Sequence, residues 1–181
     1  MNTPLTRRTF LSTAAAATGL SALTPGQAAG QSPETCAMPL RPLGKTGRMI
    51  SIVGFGGGSR YLLQEDMAVA EQMIHRAIEL GINYFDTAHS YVKDGKRESQ
   101  LRYGRFLVPA YRGRITLTTK LEGRDAETAK RQLEESLGDL KTDHVDILHF
   151  HGLATTDEID RILADDGALK VYRRWKEEGV I

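Results

Sequence analysis

The chain has 181 residues, with 24 basic and 23 acidic side chains and a formal net charge of +1. No basic excess points to nucleic acid as a partner, and no run of 18 or more apolar residues predicts a membrane span. The single cysteine, Cys36, excludes an internal disulfide and any local Cys-x-x-Cys site. Small charged or neutral molecules remain as partners.

The N-terminus carries the pattern of an export signal. The paired arginines Arg7 and Arg8 precede Phe-Leu and a weakly apolar segment, and the small residues Gly26 and Ala28 are spaced for signal-peptidase cleavage. Residues 1–28 therefore resemble a twin-arginine signal peptide, although an amphipathic or disordered leader is the alternative. The resemblance implies the twin-arginine (Tat) export machinery as a partner and a periplasmic or otherwise exported protein.

The rest of the chain divides into a short linker and one domain. Residues 29–40 contain proline and serine and are predicted to be the linker, and residues 41–181 the domain. The first strand is predicted over residues 49–56 and ends in a glycine run. Further strands are predicted at residues 81–86, 114–120 and 144–151, and helices at residues 70–80, 97–107, 125–137 and 155–175.

Two local signals support these boundaries. Gly81 follows the first helix as a C-terminal cap, and Thr155-x-x-Glu158 fits a capping box at the start of the last helix. That last helix is expected to break near Asp166-Gly167.

Strands that alternate with helices predict βαβ units and a parallel sheet. We count four strands and four helices, and Val180-Ile181 is predicted to begin a fifth strand. A complete TIM (β/α)8 barrel takes about 250 residues. The fold class is therefore predicted to be α/β, with about the first four βα units of such a barrel, as a fragment or from a truncated gene.

Four reactive side chains lie at or just past the ends of the apolar runs: Asp86, Tyr91, Lys120 and His151. In a βα barrel the active site is assembled where strands end and βα loops begin, so the four could share one pocket. Lys120 closes an apolar run and needs a carboxylate partner, which Asp86 can supply. A nearby ammonium stabilises a phenolate, which would make Tyr91 a usable proton donor.

Two other interpretations of these motifs are considered. His149 and His151 lie two residues apart, so they could be a metal-binding pair of a TIM-barrel hydrolase, or His151 could act alone with His149 packed inside the barrel, or both could be core histidines. Gly54-x-Gly56 suggests a dinucleotide fingerprint, but no third glycine opens a helix at the required spacing. We favour glycines that let a loop lie across the barrel mouth.

Three motifs together resemble the aldo-keto reductase family: residues 83–91, 118–120 and 145–151. The opening, residues 41–47 and 53–56, is similar to the usual start of that family. The resemblance extends from about residue 41 to the last residue.

The resemblance implies a (β/α)8 barrel that reduces aldehydes or ketones with NADPH. It implies that Tyr91 is the general acid, that Lys120 and Asp86 tune it, and that His151 orients the carbonyl. Gly56 and Asp86 are predicted to contact the cofactor, and no metal is expected. NADH stays possible, because most family contacts to the cofactor lie in the second half of the barrel. The alternatives are the metal-dependent hydrolase and a non-catalytic truncated barrel.

Overall fold

The computed structural model describes residues 37–181. The predicted signal peptide and most of the linker lie outside the described residues. The strands are β1 Leu40–Pro42, β2 Met49–Ser51, β3 Phe55–Gly56, β4 Tyr84–Asp86, β5 Thr116–Leu121 and β6 Ile147–Phe150. The helices are α1 Ser59–Leu62, α2 Met67–Glu79, α3 Glu98–Arg102, α4 Val108–Tyr111, α5 Ala126–Leu140, α6 Thr156–Leu163 and α7 Ala168–Glu177.

The main sheet has four parallel strands in the order β3-β4-β5-β6. Gly56 pairs with Asp86, and Lys120 pairs with His149. Sequential parallel strands connected by helices are the construction of a βα barrel, so the predicted fold class is confirmed for this part of the chain. The carboxyl ends of the strands meet at one edge, where the strand ends and the loops that follow them carry the predicted site residues.

The predicted first strand is wrong in one respect, because residues 49–56 form two strands. Met49–Ser51 pairs with Leu40–Pro42 in an antiparallel hairpin, and only Phe55–Gly56 joins the parallel sheet. The break is held by Asn83, whose side chain accepts from the Ser51 backbone N–H at 2.7 Å. The hairpin also begins at Leu40, the last residue that we assigned to the linker.

Side-chain caps fix the ends of the long helices. Asp66 accepts from the backbone of Ala68 and so starts α2, and Gly81 follows its end with φ +84°. Thr155 and Glu158 form the predicted capping box at α6. The last helical segment breaks as predicted, since α6 ends at Leu163 and α7 starts after Gly167.

The helix predicted over residues 97–107 continues to Tyr111 through a π-helical turn, Tyr103–Leu107. Gly104 in that turn packs directly on the carbonyl of Asp139 in α5, where a Cβ would have no room. This close approach packs the π-helical turn that follows α3 against the end of α5.

Alternate side chains along β4 and β5 face opposite sides of the sheet, so core residues lie on one face and the predicted site residues on the other. Phe85 and Leu117 are fully buried and pair across β4 and β5, within the cluster that packs against the helices. Asp86 and Lys120, at even positions of the same two strands, lie on the opposite face, because side chains at odd and even positions of a strand point to opposite sides. None of the helices in residues 37–181 is long and apolar enough to cross a membrane.

Candidate active site

Lys120 is the centre of the polar cluster at the carboxyl edge of the sheet. Its Nζ donates to Asp86 Oδ2 at 2.6 Å, to the Thr87 carbonyl at 2.8 Å and to Tyr91 Oη at 3.3 Å. The structure thus brings together three of the four residues that the sequence places in the site. An ammonium in contact with both a carboxylate and a phenol can stabilise the phenolate left when the phenol gives up a proton.

The ion pair is partly exposed within residues 37–181. The side chains of Lys120 and Asp86 are 18% and 28% exposed. Asp86 ends β4 and Lys120 lies one residue before the end of β5, so both reach the mouth of the sheet rather than its interior. Solvent therefore reaches the pair in this part of the barrel.

The glycine run packs around Asp86 and Tyr91. The Gly57 N–H donates to the Asp86 carbonyl at 2.6 Å, and the Tyr103 hydroxyl donates to the same carbonyl at 3.1 Å. A Cβ at Gly58 would lie 3.1 Å from the ring of Tyr91. Close packing at Gly57 and Gly58 explains these two glycines without a phosphate loop, and the space around Gly56 is open.

His151 completes the cluster from the loop after β6. Its ring meets the ring of Tyr91 edge to face, with centroids 5.7 Å apart. Its Nδ1 lies 2.7 Å from Glu122 Oε1 and 2.9 Å from Ser90 Oγ. Nε2 has no hydrogen-bond partner among residues 37–181, so it is the nitrogen free to meet a substrate.

Sequence reasoning missed the charged groups behind His151. Glu122 lies 3.4 Å from His89 Nδ1, and His89 Nε2 lies 2.8 Å from Glu135 Oε2. Arg97 then binds Glu135 at 3.3 Å and Asp139 at 2.5 Å. The only signal in the sequence is Glu122 two residues after Lys120, which in a strand places both on one side.

The pKa values of this network follow from its hydrogen bonds. Partial burial raises the pKa of Glu122, but hydrogen bonds from His89, Ser90 and His151 outweigh it and lower the pKa to about 2. Burial lowers the pKa of His89, yet hydrogen bonds to Glu122 and Glu135 raise it above its ordinary value. Glu122 is therefore a carboxylate and His89 tends towards its charged form.

Comparison with known proteins decides the family. The Aldo/keto reductase family matches residues 53–179 of the chain. The chain belongs to the aldo-keto reductase family. The cluster of Asp86, Tyr91, Lys120 and His151 accordingly lies in an aldo-keto reductase domain.

Two curated relatives illustrate this aldo-keto reductase kinship. The chain is 36% identical over 150 residues to an L-galactose dehydrogenase of Arabidopsis thaliana, covering 77% of this chain and 45% of the relative. It is 30% identical over 140 residues to a 6-dehydroglucose reductase of Novosphingobium aromaticivorans, covering 69% and 46%. The chain spans about half the length of the curated relatives it matches.

A solved aldo-keto reductase has the same fold. The holo form of an aldo-keto reductase from Bacillus halodurans matches with a TM-score of 0.66 and 29% identity, over 80% of this chain and 48% of that chain. The observed sheet therefore corresponds to part of an aldo-keto reductase barrel.

Membership of the aldo-keto reductase family favours the reductase interpretation of the site over the metal-dependent hydrolase interpretation. Within residues 37–181, no three His, Cys, Asp or Glu side chains come together in a metal-binding group. His151 is engaged by Glu122 through Nδ1. His149 pairs with Lys120 across β5 and β6, so it lies on the same side of the sheet as the site of this aldo-keto reductase, and its packing inside a complete barrel stays a prediction.

Proposed function

We propose that the product of the whole gene is an NAD(P)H-dependent aldo-keto reductase that reduces aldehydes or ketones. The observation that carries this proposal is the contact of Lys120 Nζ with both Asp86 Oδ2 and Tyr91 Oη, at 2.6 and 3.3 Å. This contact supports the assignment of Tyr91 as proton donor, Lys120 as the cation that stabilises its phenolate and Asp86 as the counter-ion of Lys120, at the carboxyl edge of a parallel sheet. Catalytic groups of βα barrels lie at that edge.

Tyr91 is the proposed general acid. When hydride is added to a carbonyl carbon, the oxygen becomes an alkoxide that takes the phenol proton. Lys120 lowers the cost of the remaining phenolate, and Asp86 holds Lys120 in place. His151 Nε2 contacts the same oxygen and orients the carbonyl.

A nicotinamide cofactor fits the residues present. Gly56 pairs with Asp86, and a Cβ at Gly56 would meet no atom within 4 Å, so no atom of residues 37–181 blocks a ligand at that position. When bound, the cofactor supplies the hydride. Gly56 and Asp86 are the residues of this chain that would lie against it, with NADPH the proposed cofactor and NADH the alternative.

The choice of substrates to test follows from the relatives. One curated relative is named for L-galactose and another for 6-dehydroglucose. Small sugar aldehydes and ketones are therefore the first class of carbonyl substrate to try, beside a simple aromatic aldehyde.

The experiment is a cofactor-oxidation assay on the purified product of the whole gene. We expect loss of NADPH absorbance that depends on the aldehyde and is slower or absent with NADH. Binding of NADPH without turnover of any carbonyl would favour the non-catalytic barrel instead. Turnover of an ester or amide that depends on added zinc would favour the hydrolase.

We also propose export through the twin-arginine route, on the pattern of Arg7 and Arg8. This route carries folded proteins, so a bound cofactor could travel with the enzyme. Replacement of both arginines by lysine should retain the precursor in the cytoplasm. Undiminished periplasmic protein after fractionation would contradict the proposal.

A further inference from the structure

The β6–α6 loop, residues 151–155, starts at His151, the residue proposed above to orient the carbonyl. Residues 152–155 are all exposed, so side-chain packing within residues 37–181 does not hold this loop. Gly152 has φ +62°, a conformation that glycine adopts freely, so the chain can turn directly after His151. The backbone of the loop must therefore be held by polar contacts.

Arg124 supplies the polar contact at the start of the loop. It lies three residues after the end of β5, and its Nη2 donates to the His151 carbonyl oxygen at 2.6 Å. The backbone of Arg124 is itself held, because the Ala168 N–H at the start of α7 donates to the Arg124 carbonyl at 3.0 Å. The Arg124 side chain is 16% exposed. A planar guanidinium held in this way restricts rotation of the peptide group that joins His151 to Gly152.

The same guanidinium holds the end of the loop through Glu158. Arg124 Nε and Nη2 both donate to Glu158 Oε1, at 3.1 and 2.9 Å. Glu158 Oε2 in turn accepts from the backbone N–H groups of Ala154 and Thr155, at 2.7 and 3.1 Å. Hydrogen bonds that involve a charged group are stronger than those between neutral groups. Arg124 and Glu158 together therefore bind both ends of the loop.

We propose that Arg124 is a positioning residue that holds the β6–α6 loop at both ends and so places His151 beside the substrate oxygen. This inference rests on the proposed function, because His151 has its role in that reaction. Arg124 binds the backbone of His151 rather than its ring, so it acts through the histidine. The contact persists whatever the protonation of the imidazole, because the acceptor is the backbone carbonyl.

The test compares Arg124→Met with the parent in the product of the whole gene. Methionine has a flexible apolar side chain and offers no donor to the His151 carbonyl or to Glu158. Arg161→Met is the matched control, because the hydrogen bonds of the Arg161 guanidinium within residues 37–181 go to Asp166.

The first readout is backbone hydrogen exchange, which needs no turnover. The amides of Ala154 and Thr155 should be protected in the parent and in Arg161→Met. In Arg124→Met they should exchange roughly 10-fold faster, because Glu158 loses the guanidinium that orients it. Amides in the middle of α5 are the internal reference, since a global loss of stability would speed their exchange as well. Exchange of the loop amides in Arg124→Met equal to that of the parent, relative to α5, would overturn the inference.

The second readout is carbonyl reduction at saturating cofactor, in a double-mutant cycle with His151→Asn. That variant keeps the backbone carbonyl that Arg124 binds and removes the imidazole. We expect Arg124→Met to lower kcat roughly 10-fold when His151 is present, because small displacements of a reacting group slow the reaction steeply.

In the His151→Asn background, Arg124→Met should change kcat by less than about 2-fold, since no imidazole remains to be placed. An equal loss of kcat in both backgrounds would overturn the positioning role. Should His151→Asn lack measurable turnover, the exchange readout decides.

Failure of this inference and failure of the proposed function are distinguishable. A parent that reduces no carbonyl but shows the expected exchange pattern would refute the proposed function, while the hold of Arg124 on the loop would stand. A parent that reduces aldehydes, with kcat unchanged in Arg124→Met, would overturn the positioning role and leave the proposed function intact.

Discussion

The ammonium of Lys120 lies 2.6 Å from the carboxylate of Asp86, and both side chains remain partly exposed, at 18% and 28%. This partial exposure determines how much the free energy of unfolding should fall when either charge is removed. Breaking a fully buried ion pair costs about 3–5 kcal/mol, whereas an exposed pair contributes about 1 kcal/mol or less. The Lys120–Asp86 pair lies between these limits.

The Lys120→Met variant should therefore lose carbonyl reduction. Its free energy of unfolding should fall by about 1–3 kcal/mol, because Asp86 loses its cation. Activity falls because Tyr91 loses the charge that stabilises its phenolate. The measurement is turnover together with urea unfolding. Lys130→Met, on the exposed face of α5 with a side chain 58% exposed, is the control. A Lys120→Met protein as active and as stable as the control would contradict the assigned contact.

Gly58 tests whether the position of Tyr91 matters. A Cβ there would lie 3.1 Å from two ring carbons of Tyr91, so Gly58→Ala must move the phenol by a few tenths of an ångström. We expect kcat/KM to fall roughly 10-fold with little loss of stability. Gly138→Ala, where a Cβ meets nothing within 4 Å, should leave turnover unchanged. Equal activity of the two variants would mean that the ring adapts without cost.

The carboxylate of Glu122 should make the free energy of unfolding depend on pH. Its pKa is lowered from 4.5 to about 2, so its contribution is present above about pH 4.5 and is lost as the pH falls towards 2. Because 36% of the Glu122 side chain is exposed, its contribution to the free energy of unfolding should be small. We expect parent and Glu122→Gln to differ in urea unfolding at pH 7 and to converge below pH 4.5. A constant difference from pH 7 to pH 3 would refute the lowered pKa.

The sequence predicts β4, β5 and β6 and the polar side chains at or just past their ends, because each of these signals is local. Short apolar runs mark the strands, and polar residues follow them. Asp66 and Thr155 illustrate the same point, since a cap is defined within four residues of its helix.

The remaining features depend on contacts between distant segments. The break between β2 and β3 is fixed by Asn83, which is 32 residues from Ser51. Glu122 contacts His89 and His151, which lie in two other loops. A run of apolar residues from 49 to 56 contains no local sign of the break, and a lone glutamate after a strand resembles a solvated charge.

The 181-residue chain, expressed alone, should associate. Within residues 37–181, β3 and β6 each pair on one side only and form the two edges of the sheet. Unpaired edges are templates for pairing with another copy. Light scattering after size exclusion should show oligomers or aggregates whose proportion rises with concentration. A monomer that binds NADPH with micromolar affinity would contradict this expectation.

The central claim is that Tyr91 delivers the proton in carbonyl reduction, and Tyr91→Phe tests it most directly. The measurement is aldehyde-dependent NADPH oxidation by the product of the whole gene, beside NADPH affinity from fluorescence, with Tyr111→Phe as the control because its hydroxyl contacts only His75 among residues 37–181. Loss of a general acid costs on the order of 100- to 10,000-fold, so Tyr91→Phe should lose turnover by that factor, with cofactor affinity nearly unchanged. Turnover by Tyr91→Phe equal to that of Tyr111→Phe would remove Tyr91 from the mechanism.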